Sequence, residues 1–359
     1  MTASDDEICK HTATALQPWY AAHARRLPWR APPGSAAPDP YRVWLSEVML
    51  QQTTVAAVQS YFAAFTSRWP TVMDLAAADD GEVMAAWAGL GYYARARNLL
   101  ACAREVARRG GVFPATEEGL RELPGLGAYT AAAVAAIAFG QRAVVVDANV
   151  ERVVARLFAI GEPLPGGRKA IRAAAERITP EEGAGDFAQA MMDLGATVCT
   201  ARNARCLVCP LAALCRGRAM GEPERYPVKA AKAARPERKG RAFWIERGDV
   251  CPGGGVWLVR RPGKGMLGGM RALPDDGWSA RGDGSGLEPL ALDWRPAGMV
   301  RHGFTHFALE LSVSAATIGA GNPDGEGEWW PIARIEEAGL PTLFAKAAVL
   351  GRAMGEHVT

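Results

Sequence analysis

The sequence predicts two domains of different class, an all-α unit followed by a small α+β unit, on three observations. At 359 residues the chain is longer than one hydrophobic core usually organises. From about residue 7 to 225, apolar residues recur at helical spacing in segments rich in Ala, Leu, Arg and Glu, punctuated by Pro and Gly. After a polar, proline-bearing, basic stretch at 221–241, the texture changes to short β-prone runs (AFWIER, VWLVRR, FALELSVSA) with glycine-rich turns. The expected division is a helical domain over 1–220, a connector over 221–241, and an α+β domain over 242–359 ending in a helix near PTLFAKAAVLGRAM.

The first residues, MTASDDEICK, lack the basic start and apolar stretch of a signal peptide, and no run long enough to span a membrane follows. A cytoplasmic protein without membrane contact is expected. With 49% hydrophobic and 22% charged residues the chain has an ordinary globular composition, and a formal net charge of +3 is too small to demonstrate a polyanionic partner.

Asp39-Pro40 should open a helix, the aspartate capping it and the proline occupying its first turn. Glu47 falls in its middle. The neighbours three and four positions away are Val43, Trp44, Leu50 and Gln51, so the carboxylate projects from a largely apolar face, where desolvation favours the protonated acid. Taken alone, such a glutamate also fits a rim or salt-bridge position. Further along, Leu123-Pro124-Gly125-Leu126-Gly127 precedes a small-residue helix, and Gly125 and Gly127 allow a sharp turn whose free N–H groups suit a phosphate. An ordinary helix–helix turn fits the same pattern. Asp147 closes the apolar run Ala143–Val146 and is placed to cap the next helix, a structural role that is compatible with holding negative charge beside a cationic intermediate. One protonated and one ionised carboxyl is the pairing that glycoside cleavage needs.

Four of the seven cysteines crowd into C-x6-C-x2-C-x5-C, at Cys199, Cys206, Cys209 and Cys215, which is metal usage and not a disulfide framework. Zinc sites more often use two close pairs set well apart, whereas an iron–sulfur cluster is commonly gripped by thiolates from one segment. Arg202, Arg205, Arg216 and Arg218 flank the thiolates, either facing nucleic-acid phosphates or merely solvated. The same two alternatives hold for Arg95, Arg97, Arg104, Arg108 and Arg109.

The strings Leu27-Pro28-Trp29-Arg30, Tyr41 through Thr53, Gly89-Leu90-Gly91-Tyr92-Tyr93, Val146-Asp147-Ala148-Asn149-Val150 and Met191-Met192-Asp193-Leu194-Gly195-Ala196 closely resemble MutY-type adenine DNA glycosylases, of the endonuclease III superfamily. The resemblance implies a helix-hairpin-helix glycosylase domain, with a six-helix module at roughly 31–143 and an iron–sulfur module formed by the N-terminus plus roughly 144–220. It implies a [4Fe–4S] cluster on the four cysteines, and Glu47 as the group that protonates adenine N7. Asp147 would stabilise the sugar cation, with Asn149 supporting the site. Tyr129 stands where bifunctional relatives carry the lysine that forms a Schiff base, so simple base removal is implied. Gln51 and Tyr92 match positions that wedge into DNA when the base is extruded, and Arg30 and Gln189 match positions lining the adenine pocket.

Such enzymes carry a C-terminal Nudix-like domain. Phe304-Thr305-His306 resembles its loop that senses 8-oxoguanine, with threonine in place of serine; judged without the family, His306 is an ordinary strand-end histidine. Glu336-Glu337-Ala338-Gly339-Leu340 resembles only the end of a Nudix box, so no pyrophosphohydrolase activity is expected. The implied partner is duplex DNA with adenine opposite 8-oxoguanine or guanine, met by a monomer. A pyrimidine- or thymine-specific member of the superfamily and a catalytically idle, redox-sensing DNA-binding module are the competing expectations.

Overall fold

The computed structural model describes residues 2–230, 235–262, 266–304 and 306–355. The chain divides into two compact units, Met1–Ala231 and Lys232–Thr359. Both ends of the stretch expected as a connector are structured. Tyr226 is buried in the first unit, where its carbonyl accepts from Arg156 Nε at 3.0 Å. The second unit's first strand already starts at Glu237. Its charged opening, ERKGR, looked like connector because those residues pair in a ladder without filling a core.

The first unit is built from helices α1 (Asp5–His23), α2 (Pro40–Met49), α3 (Val55–Arg68), α4 (Val72–Ala77), α5 (Asp80–Trp87), α6 (Ala94–Arg108), α7 (Glu117–Arg121), α8 (Ala128–Phe139), α9 (Ala148–Phe158), α10 (Arg168–Ile178), α11 (Ala184–Thr197) and α12 (Arg216–Ala219). Asp39 caps α2 as expected, accepting the Tyr41 N–H at 2.9 Å. Tyr41 and Val43 through Met49 are all buried, so α2 is a central helix. It packs against α8, whose residues Thr130 to Ala138 are buried and nearly all small. On the far side α8 meets α11 so closely that a Cβ on Gly185 would lie 2.4 Å from the Ala136 carbonyl oxygen. Helix α9 starts at its cap Asp147 and packs on α10, α11 and α12, and α1 returns from the N-terminus to pack on α10 and α11.

The second unit holds a mixed sheet of strands β1 (Glu237–Arg247), β2 (Gly255–Arg260), β3 (Arg271–Ala272), β4 (Arg295–Gly303), β5 (Ala308–Thr317) and β6 (Gly327–Pro331), in the order β3-β2-β1-β5-β4 with β6 added to β2. β1 and β5 run parallel, and β4 and β5 form an antiparallel hairpin with an irregularity at Pro296/Gly298. Helix α13 (Thr342–Gly355) packs on β1, β4 and β5, burying Phe344 against Trp278. The glycine-rich stretch at 277–287 is anchored to the sheet. Asp276 accepts the N–H groups of Arg241 and Gly286, each at 3.0 Å, and Trp278 is buried. Among the described residues no helix is long and apolar enough to cross a membrane.

Candidate active site and nucleic-acid interface

Three helices bring the site together. Glu47, on central helix α2, is only 6% exposed. Burial pushes its carboxyl up to about 7 despite the opposing hydrogen bond from Tyr129, with the Asp147 charge raising it further and Arg30 lowering it. Tyr129, in the first turn of α8, donates its hydroxyl to Glu47 Oε2 at 2.8 Å. Burial and the two neighbouring carboxylates hold the phenol well above its ordinary value, so it remains a donor. Glu47 is therefore poised between acid and base near neutral pH, where general acid–base catalysis is most efficient.

Asp147 sits in a contrasting environment. One oxygen accepts the Val150 N–H at 2.7 Å as the cap of α9, and the other accepts from Asn149 Nδ2 at 2.8 Å. With one N–H donor on each oxygen, the carboxylate is held in a fixed orientation. Asn149 is held in turn by Arg152, whose Nη2 donates to Asn149 Oδ1 at 3.0 Å and to the Gly195 carbonyl at 2.6 Å.

Removing the Tyr129 hydroxyl removes the interaction that favours ionised Glu47. Tyr129→Phe is expected to move the alkaline limb of base release to higher pH, checked by single-turnover rates across about pH 5 to 9. An unmoved limb would show that Tyr129 does not set the Glu47 protonation.

The residues expected to line a base pocket or contact DNA fall into distinct settings. Arg30 makes two hydrogen bonds to fully buried Asp193, both at 2.8 Å, and Arg25 pairs with the same carboxylate at 2.6 Å. Arg30 thus reaches the site as a neutralised cation, close enough to act on Glu47. Gln189 is buried in α11. Gln51 is half-buried and donates to Thr130 Oγ1 at 3.1 Å, joining the end of α2 to α8. Tyr92 stands out: it is 62% exposed, with φ of 51° in the left-handed region that a bulky residue rarely adopts. Between α7 and α8, Gly125 has φ of 78°, and a Cβ there would meet Asn98 Cβ at 2.7 Å, so glycine is required. Gly127 is the N-cap of α8 and no side chain caps that end, which leaves the first N–H groups of α8 available to an anion.

The arginine-rich helix α6 is neither a free phosphate comb nor wholly solvated. Arg104, Arg108 and Arg109 are engaged with Asp80, Glu105 and Glu122, and Arg95 is buried. In the cysteine loop, Arg216 is likewise taken up by α1, bonding the Ala3 carbonyl and Asp5.

All four clustered cysteines are half-buried in one loop region beside α9, and Cys209 lies within charge reach of the other three. Burial pushes the Cys209 thiol up to about 12 and raises that of Cys215, while N–H groups of Leu211 on the first sulfur and of Arg218 and Gly217 on the second oppose it. Arg156, 1% exposed, donates to Cys199 Sγ at 3.3 Å and to the Thr200 carbonyl at 2.7 Å. Among the described residues no three His, Cys, Asp or Glu side chains close on one metal ion. The donor set of four soft sulfurs, three of which receive N–H or guanidinium donors, has the chemistry that an iron–sulfur cluster takes.

Two family models match. One, the HhH-GPD superfamily base excision DNA repair protein, covers residues 45–181, and the other, a NUDIX domain, covers 249–349. The chain is 35% identical to the human adenine DNA glycosylase, over 86% of its own length and 67% of the relative's. It is 45% identical to the adenine DNA glycosylase of Mycolicibacterium smegmatis, over 58% of this chain and 70% of that one. The chain belongs to the adenine DNA glycosylase family. It spans 59% of the rat and mouse adenine DNA glycosylases. Among solved structures, a thermostable thymine-DNA glycosylase superposes with a TM-score of 0.54 at 30% identity, covering 60% of this chain and 98% of that one. A non-covalent endonuclease III–DNA complex, at 24% identity and a TM-score of 0.51 over 62% of this chain and the whole of that one, shares the fold.

Within this family member, sequence reasoning missed the supports of the site: Arg25 and Asp193 behind Arg30, and Arg152 and Arg156 behind Asn149 and the cysteines. A signal existed for the last two. They lie four apart on a helix whose other buried residues are apolar, so they share one face, with Arg156 buried and Arg152 half-buried. In the second unit Phe304 packs on Trp278, His302 and Phe307, and its N–H donates to the Phe307 carbonyl at 2.9 Å, closing the β4–β5 turn. His306 is exposed there, and Thr305 lies outside the described residues. The Nudix-box remnant falls on a 3₁₀ segment, Ile332–Ala338, where Glu337 pairs with Arg334.

Proposed function

We propose that this chain excises adenine paired with 8-oxoguanine or guanine from duplex DNA by hydrolysing the N-glycosidic bond. The observation that carries the mechanism is Glu47, protonatable near neutrality and hydrogen-bonded to Tyr129, in the same site as an Asp147 that takes N–H donors on both oxygens. The adenine is extruded from the stack, with Tyr92 and Gln51 filling the gap and the uncapped start of α8 holding a phosphate. Glu47 gives its proton to adenine N7. The C1′–N9 bond then breaks with its electron pair leaving on the base, and the Asp147 carboxylate stabilises the oxocarbenium ion at C1′. Water adds to C1′ and its proton returns to the Glu47 carboxylate. Tyr129 supplies no amine, so no Schiff base forms on the chain at that position.

Arg30 and Gln189 belong to the base pocket in this reading, and the Phe304-Thr305-His306 sequence to recognition of the opposite 8-oxoguanine. Cys199, Cys206, Cys209 and Cys215 would hold a [4Fe–4S] cluster, which when bound would staple the loop that carries Arg202, Arg205 and Arg218. Purified protein is expected to be brown, with broad absorbance toward the blue and with iron and sulfide on analysis. Stoichiometric zinc without iron would overturn the cluster assignment.

The deciding experiment offers duplexes containing A:8-oxoguanine, A:G, A:C and thymine mismatches to the protein and measures the base released. Adenine release, fastest opposite 8-oxoguanine, is expected. Likeness to a thymine-DNA glycosylase supports a second specificity, and release of thymine without adenine would replace the first.

A further inference from the structure

Arg95 is a buried cation without a carboxylate partner among the described residues. Its Nη1 donates to the carbonyls of Val48 at 3.3 Å and Met49 at 2.8 Å, in the last turn of α2 directly after Glu47. Its Nη2 donates to Thr53 Oγ1 at 3.0 Å and to the carbonyls of Leu90 at 3.1 Å and Gly91 at 3.3 Å. The guanidinium also lies 5.4 Å from the Trp87 ring and 5.5 Å from the Tyr92 ring, and Trp87 Nε1 donates to the same Gly91 carbonyl at 3.1 Å. A methionine would fill this volume without the desolvation that burying a charge imposes. A planar group with donors fanned outward instead ties together two backbone segments that share no hydrogen-bonded ladder. One segment ends the helix of Glu47. The other holds Tyr92 at φ of 51°, a left-handed conformation that costs a bulky residue energy and needs outside support.

We infer that Arg95 is a positioning residue for base extrusion, locking the Tyr92 loop to the end of the Glu47 helix so that wedge and acid keep one register. The inference rests on the insertion of Tyr92 proposed above. Arg95 acts through Tyr92 and the α2 terminus and touches no reacting atom.

The test places 2-aminopurine, which brightens when unstacked, at the target position opposite 8-oxoguanine, in a Glu47→Gln background where nothing is excised. The single variant is expected to brighten the probe on binding; failure to do so would overturn the extrusion reading itself. Adding Arg95→Met is expected to abolish the rise while duplex affinity changes by less than about threefold, and a retained rise would overturn the role of Arg95. With Glu47 intact, Arg95→Met is expected to slow single-turnover excision by about 100-fold with the pH profile unmoved. A moved profile would place its effect on the acid and overturn the inference. If Arg95→Met does not fold, Arg95→Lys carries the same comparison. It keeps the charge but reaches fewer of the five acceptors, and is expected to reduce the fluorescence rise and recover part of the rate; full wild-type behaviour would overturn the role.

Discussion

Glu47→Gln is expected to lower single-turnover adenine release by at least about 10³-fold while leaving duplex binding nearly unchanged, since glutamine accepts the Tyr129 hydroxyl but has no proton to give N7. Retained excision would remove Glu47 from the reaction. The same variant is expected to be the more stable protein in alkaline solution. The buried carboxyl is held at about 7 against an ordinary 4.5, so its contribution to stability is complete below about 4.5 and is lost as pH rises through about 7. That change corresponds to roughly 3 kcal/mol across the window. Thermal unfolding at about pH 8 should therefore show the glutamine variant melting several degrees higher, and at about pH 4 the two should coincide. Equal melting at both would mean that the charged form is not penalised by burial.

Asp147→Asn is expected to cost about 10²- to 10³-fold in excision with little change in stability, because the substitution separates the two roles of this side chain. Asparagine caps a helix as well as aspartate does and can still accept the Val150 N–H, so α9 keeps its start. What it would lose is the acceptor for Asn149 Nδ2 and, in the proposed mechanism, the negative charge facing the oxocarbenium ion, and a lost electrostatic contact of that kind typically costs several kcal/mol in the transition state. Asp147→Ala provides the contrast, losing the same rate and in addition about 1 kcal/mol of stability through the missing cap. If the asparagine variant retained full activity, the charge would be dispensable and Asp147 would be structural alone.

Much of this was legible before any coordinates because the informative features are local. A cap followed by proline announces α2, and the apolar neighbours of Glu47 announce its burial. Gly125 and Gly127 announce the turn, and the close spacing of the four cysteines announces that they lie together in one loop region. What escaped is long-range. Tyr129 and Glu47 are 82 positions apart, and nothing in either segment says that a phenol will meet that carboxylate. The resemblance singled out Arg30, but nothing near it in sequence says that it will pair with Asp193, 163 positions away. Arg95 misled for a different reason. Set among other arginines it looked like part of a solvated comb, although Leu99, Cys102 and Val106, at helical spacing after it, mark the inward stripe of α6. Composition outweighed phase in that instance, and phase was the better guide.

The close approach of glycine to neighbouring backbone determines where this protein tolerates inherited change. A Cβ on Gly185 would meet the Ala136 carbonyl, and a Cβ on Gly195 would fall 2.6 Å from Asn149 Cβ. Neither glycine carries chemistry, yet a single added methyl would wedge α11 away from the helices bearing Tyr129 and Asp147. The positions most sensitive to drift therefore include some with nothing to react, while many exposed arginines whose partners are other surface groups are free to vary.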